Sequence, residues 1–234
     1  MASVFSTEEG FTRIREILAL GEPEPIIPHD YQLEGIAASL DGQDLLATLA
    51  TGTGKTGYYT FLMLVIKAIA HNPSKTLSTI TFHANPVMLV VLPTKALQED
   101  MKRGMCLHGL NVIAINSDEV KSARKTGRDL WTECIENYDV ILISPEELTS
   151  RHFEALLNKP KFTDRICCFG VDEVHLINTW GRHSARPLTN WASCESVFQC
   201  MMRNSSPLSQ HLLPYEMANR NARFAKSSDF RITT

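Results

Sequence analysis

Four stretches of this chain are apolar from end to end and no longer than a strand: Val87–Leu92 (VMLVVL), Val112–Ile115 (VIAI), Val140–Ile143 (VILI) and Ile166–Val171 (ICCFGV). A strand with one wet face alternates apolar and polar residues, whereas an unbroken apolar run belongs to a sheet covered on both faces. The segments between these runs carry helical spacing, over Lys95–Leu107, Asp118–Cys134 and Glu146–Leu157. Upstream, residues 8–20 place Phe11, Ile14, Ile17 and Leu18 on one face of an amphipathic helix. Tyr31–Leu40 reads as a second helix, 44–49 as a further strand, 56–70 as a buried helix, and Asn72–Asn85 as an exposed loop around Pro73. Strands alternating with helices predict an α/β fold, a mostly parallel sheet with helices on both faces.

The chain has 234 residues, 44% of them hydrophobic, enough for one sizeable core and a tail. Its net charge of −3 gives no global basic excess, so any contact with nucleic acid must come from local patches. Six cysteines (106, 134, 167, 168, 194 and 200) show no Cys-x-x-Cys spacing, and Cys167 and Cys168 read as buried reduced thiols. Cys106 and His108 form no metal set with a neighbour. The N-terminus is polar and mixed in charge, unlike a secretory signal. The longest apolar run, Phe61–Ile66, is broken by Lys67 and far too short to span a bilayer. These features predict a soluble protein of the nucleus or cytoplasm, with no membrane partner.

Chemistry enters with Leu49–Thr56, LATGTGKT, which follows an apolar stretch and precedes a helix-like run. A glycine-rich turn at a helix start can wrap phosphates with its backbone N–H groups, here those of Gly52, Thr53, Gly54 and Lys55 following Thr51. Lys55 is suited to the β- and γ-phosphates of ATP and the Thr56 hydroxyl to Mg²⁺. Farther along, Val171-Asp172-Glu173-Val174-His175 follows the last apolar run. A strand-end carboxylate, Asp172, can hold the metal, and Glu173 can orient or deprotonate the attacking water. ATP hydrolysis is the reaction these two elements suit.

Together with these motifs, DYQLEGIAASLDGQDLLATLATGTGKT, VVLPTKALQEDM, INSDE, ILISPEEL and GVDEVHLINTWG resemble the first motor lobe of a superfamily-two (DEAD/DEAH-box type) helicase. The segment from Asp172 through Trp180-Gly181 to Arg186-Pro187 is similar to RecQ-type DNA helicases. The resemblance implies a RecA-like P-loop NTPase lobe over 28–187, with residues 1–27 a helix and Pro-rich loop before it and 188–234 a poorly specified tail. It implies that Gln32 reads adenine with its amide. It also implies that Thr94, Lys95, Asn116, Ser117, Ser144, Pro145 and Glu146 face the nucleic-acid backbone, and that His175 links hydrolysis to that side. Trp180 falls in the segment that senses single-stranded DNA by stacking. His29 stands where the family carries an arginine, and Ala185 where it carries a phenylalanine.

A second motor lobe, which supplies arginines to the γ-phosphate, and the family's Ser/Thr-Ala-Thr motif have no counterpart here, so the sheet is expected to be incomplete at its C-terminal end. The implied partners are ATP, Mg²⁺, single-stranded or forked DNA and a second lobe supplied in trans. The alternative is a non-catalytic remnant that binds nucleotide or nucleic acid. Asn158-Lys159-Pro160-Lys161 lacks the Asp of a guanine-reading motif, and the Asp-Glu-x-His element favours water activation over phosphate transfer to a small molecule. Lys121, Arg124, Lys125 and Arg128 share a face of the helix expected over 118–134, and read as a solvated charged face.

Overall fold

The computed structural model describes residues 4–21, 24–45, 54–77 and 81–172, with the backbone alone at Lys55. These fall into two compact units, one within residues 1–81 and one within 82–206. Most of the strand expected over 44–49 and all of the tail over 188–234 lie outside the described residues.

The first unit is built from α1 (Glu8–Ala19), α2 (Asp30–Leu40) and α3 (Lys55–His71), which pack on one another. The spacing of Ile14, Ile17 and Leu18 puts all three in the core, and Thr7 caps α1 by accepting from Gly10 N–H. Asp41, at the end of α2, holds the segment before α1. Its carboxylate accepts from the N–H groups of Val4, Phe5 and Ser6 at 2.9, 2.8 and 2.9 Å and from the Ser6 hydroxyl at 2.7 Å. A Cβ at Gly10 would lie 2.1 Å from the Phe5 carbonyl oxygen, so only glycine allows this approach. α3 carries the Phe61–Ile66 run and buries Leu62, Met63, Val65, Ile66 and Ile69. Among the described residues no helix is long and apolar enough to cross a membrane.

The second unit holds a sheet of β1 (Val87–Val91), β2 (Val112–Ile115), β3 (Val140–Ile143) and β4 (Ile166–Val171). The order is β2-β3-β1-β4, and every pairing is parallel. The continuous apolar runs fit this placement, since β1, β2 and β3 are buried at every residue. Parallel strands require crossovers. α4 (Lys95–Leu107) runs from β1 to β2. α5 (Ser117–Lys125) and α6 (Leu130–Glu133) lead to β3, and α7 (Pro145–Leu148), α8 (Arg151–Leu157) and α9 (Pro160–Thr163) lead to β4. Successive strand residues face opposite sides. Val87, Leu89, Val91, Ile113, Ile115, Ile141 and Ile143 form one core with Val120, Leu130, Trp131, Phe153 and Phe162 from α5, α6, α8 and α9. α4 contacts β2 and β3 from the other face, burying Met101 and Met105. The α/β expectation, a parallel sheet with helices on both faces, describes this unit.

Two helix expectations need correction. The helix expected over 118–134 ends at Lys125, because Gly127 turns the chain at φ 71° and Asp129 starts α6 by accepting from Trp131 and Thr132 N–H. Arg128 therefore shares no face with Lys121, Arg124 and Lys125. It pairs with Glu133 instead, Nη2 to carboxylate at 2.6 Å. The helix expected over 146–157 is likewise split, with Ser150 capping α8 by accepting from Phe153 N–H at 3.2 Å. Cys134 is buried, and burial pushes its thiol up to about 12. Cys167 lies in β4 as a free thiol that donates to the Val87 carbonyl at 3.3 Å.

Candidate nucleotide and nucleic-acid site

The nucleotide-side residues of the first unit meet at the start of α3. Gly54 is its N-cap, at φ 88° in the left-handed region that favours glycine. The Gly54 carbonyl accepts the first helical N–H, from Tyr58 at 3.2 Å, and also the Gln32 amide Nε2 at 3.0 Å. Gln32 is 3% exposed, and its Oε1 accepts from His29 N–H at 2.9 Å. One side chain thus closes the first turn of α2 and holds the entrance of α3. Gly57 makes room for it: a Cβ there would meet Gln32 Nε2 at 2.9 Å and the Phe61 ring at 3.2 Å. Gly57 follows the motif and falls within the run that reads as a buried helix, where no sequence pattern marks that packing need. The opening turn of a helix has N–H groups without helical partners and the positive end of the dipole, which suits phosphate. The backbone of Lys55 and Thr56 forms this turn. Thr51, Gly52 and Thr53 lie outside the described residues.

In the second unit, the other expected residues collect at the carboxyl ends of adjacent strands. Thr94 and Lys95 follow β1, Asn116 and Ser117 follow β2, Ser144, Pro145 and Glu146 follow β3, and Asp172 follows β4. Asp172 N–H donates to the Val91 carbonyl at 3.0 Å, which fixes it beside the end of β1. Ligands of open parallel sheets bind at this edge. Glu173, His175 and Trp180 lie outside the described residues, and no group of three metal-ligating side chains occurs among those described.

Most of these side chains already have work within the fold. Thr94 Oγ1 caps α4, accepting from Leu97 N–H at 3.3 Å. Asn116 is 3% exposed and caps α5, its Oδ1 accepting from Asp118 and Glu119 N–H, both at 3.1 Å. Its Nδ2 donates to Gln98 Oε1 at 2.7 Å, a buried pair that sequence reasoning did not supply. Lys95 Nζ donates to the Asp118 carboxylate. Ser144 differs: it stands at the N-cap of α7, but its hydroxyl makes no cap bond and, though buried, has no partner among the described residues.

Glu147 is half-buried, and burial pushes its carboxyl above the usual range, with the Glu146 charge adding and His152, Arg124 and Ser150 opposing. A raised folded value means that this group favours the fold fully below the ordinary carboxylate value of about 4.3 and loses that contribution as pH rises through its own value. Glu147→Gln is therefore expected to raise Tm at pH 7.5, with the gain shrinking toward pH 4. Thermal melts at both pH values check this, and a gain that grows on acidification would contradict it.

The sequence matches the DEAD/DEAH box helicase family over residues 29–200, which takes in both groups of residues. The chain belongs to that family. As a DEAD/DEAH box protein it is similar to the ATP-dependent DNA helicase RecQ of Haemophilus influenzae, 26% identical over 67% of this chain and 21% of the relative. It is also similar to the ATP-dependent DNA helicase Q1 of Rattus norvegicus, 25% identical over 74% of this chain and 24% of the relative. The ATP-dependent RNA helicase DBP9 of Ajellomyces capsulatus is 26% identical over 71% of this chain and 25% of the relative. The DEAD/DEAH box region here thus spans about a quarter of the length of these relatives or less.

Proposed function

We propose that this chain is the ATP-binding lobe of a helicase motor, taking ATP and Mg²⁺ and contacting the backbone of a DNA strand. The observation that carries the reading is the gathering of Thr94, Lys95, Asn116, Ser117, Ser144, Pro145, Glu146 and Asp172 at one edge of a parallel sheet in a chain of this family. On the nucleotide side, a left-handed glycine held by Gln32 at a helix start suits a triphosphate. By the family resemblance, Lys55 and Thr56 would hold the phosphates and metal, Asp172 would ligate the metal, Glu173 would orient the water, and Gln32 would read adenine. Bound Mg²⁺ supplies charge neutralisation on the phosphates. His175 links this side to the strand, and Trp180 stacks on a base. The similarity to RecQ and Q1, both named DNA helicases, favours DNA as the strand.

Turnover by the lobe alone is expected to be slow, because an arginine supplied from across the cleft is worth about 10³–10⁵ in rate. The test is ATP turnover of the purified chain with and without single-stranded DNA, beside Glu173→Gln. DNA-stimulated turnover lost in that variant supports a motor lobe. ATP·Mg²⁺ binding without turnover assigns the chain to the non-catalytic alternative, unless a second lobe added in trans restores hydrolysis. A folded chain that binds no ATP overturns the reading.

A further inference from the structure

The cation expected to meet a strand phosphate is already paired. Lys95 opens α4 directly after its Thr94 cap, and Asp118 sits in the first turn of α5 after its Asn116 cap. The two are 23 residues apart in sequence and come together because β1 and β2 end at the same edge. Their side chains are 49% and 65% exposed, so the pair lies on the surface, open to an incoming ligand. The hydrogen bond to Lys95 and its charge hold the Asp118 carboxyl below the usual carboxylate range, with Lys121 adding to the effect.

We propose that Asp118 is a built-in competitor for phosphate on Lys95, so that this edge accepts a strand only when its phosphate displaces the carboxylate. This inference rests on the nucleic-acid reading above and adds a residue that sets how strongly, and at what salt, that edge binds. A carboxylate and a backbone phosphate are both singly charged acceptors, and an ammonium is a compact point charge that takes either without a fixed fork geometry. Displacement exchanges one anion for another on Lys95, so it gains little by itself. The displaced carboxylate also joins Glu119, Glu146, Glu147 and Asp172, the other acids of this edge, with Lys121 the nearest cation on its own helix and Arg124 and Lys125 in the helix's last turn. An isolated phosphate therefore gains little at Lys95. A strand gains elsewhere along its length and can carry the exchange, so the device selects a polymer over a free anion.

Salt dependence separates this from simple repulsion. Each phosphate neutralised on a single strand contributes about 0.7 to the slope of log affinity against log salt through released counterions. In the native chain the freed Asp118 takes a cation back, cancelling part of that release. Asp118→Asn keeps the side-chain size and removes the competing charge. The experiment is fluorescence anisotropy of a labelled oligothymidylate across a salt series, with the full chain, Asp118→Asn, Lys95→Ala and the double variant, each checked for folding by circular dichroism. Asp118→Asn is expected to bind about two- to fivefold tighter at low salt, the range an exposed ion pair commands, with a slope steeper by up to about 0.7. In the Lys95→Ala background the same substitution is expected to do little. An equal gain in both backgrounds means long-range repulsion and overturns the proposal. Native and Asp118→Asn chains that bind alike, with one slope, overturn it while leaving the nucleic-acid reading standing. If no variant binds the oligonucleotide, the nucleic-acid reading itself falls, and the proposal with it.

Discussion

Arg165→Met is expected to destabilise the sheet unit by about 3–5 kcal/mol, a large share of the stability of an ordinary domain. The guanidinium is at a residue only 2% exposed, yet its partners are carbonyl groups. Nε donates to Asn85 O at 2.7 Å, Nη1 to Cys134 O at 3.2 Å and to Ile135 O, and Nη2 to Tyr138 O at 2.7 Å. These carbonyls lie just before β1, after α6 and before β3, while Arg165 itself precedes β4 and offers its own carbonyl to Val87 N–H at 2.8 Å. One side chain thus gathers the amino ends of three adjacent strands, opposite the edge that carries the candidate site. Burial lowers the pKa of the guanidinium, and the nearby charges of Asp139 and Glu136 oppose that shift. An arginine stays charged in any case, and its planar fork of five N–H donors is what four dispersed acceptors require. Methionine keeps most of the stem's bulk and removes every donor, so the measured loss reports the hydrogen bonds rather than a cavity. Lysine restores the charge but only as a point, and is expected to recover a minor part. Urea unfolding monitored at unchanged m-value checks both variants. A methionine variant within about 1 kcal/mol of the native chain would mean that water satisfies those carbonyls.

That arginine illustrates what the amino-acid sequence does and does not display. The bounds of β2, β3 and β4 follow directly from their apolar runs, and β1 ends one residue before its run does. In a sheet covered on both faces, hydrophobic length and strand length are the same quantity. α4 is equally legible, since its ends coincide with Thr94 as a cap and with the turn at Gly109, φ 75°. The break within the helix expected over 118–134 is hidden because Val120, Ala123, Leu130, Trp131 and Cys134 all bury in one core. Their spacing stays helical across a break that only Gly127 and Asp129 announce. Arg165 looks like any charged residue before a strand, because its partners are main-chain oxygens that no sequence pattern marks. The candidate site divides the same way. Thr94, Asn116 and Ser144 are legible because strand ends and caps have local signatures. The Gln98–Asn116 and Lys95–Asp118 pairs are not, because a crossover brings together residues whose spacing has no period.

Gln32→Glu is expected to weaken nucleotide binding about tenfold or more while leaving the sheet unit intact. The change is nearly isosteric, and Oε1 can still accept from His29 N–H. What it removes is the donor to Gly54, and it sets a negative carboxylate oxygen against a carbonyl that now lies 3.0 Å from the amide nitrogen. An anionic oxygen beside an acceptor must move away or take up a proton, and the group is 3% exposed, so desolvation adds to the repulsion. The alternative is for Gly54 to move, which shifts the start of α3 and the opening N–H groups that suit phosphate. A loss of about 1.4 kcal/mol, within the cost of one unsatisfied buried group, is already a factor of ten in affinity. Two effects can be separated by ligand choice. If Gln32 acts only by reading adenine, Glu weakens ATP and spares inorganic triphosphate. If it also positions the phosphate turn through Gly54, both ligands weaken together. Calorimetric titration of the native chain and the variant with each ligand decides between them. We expect the parallel loss, because the hydrogen bond to Gly54 is formed by the chain itself, before any base arrives. Equal affinities for both ligands in the two proteins would remove Gln32 from the nucleotide site altogether.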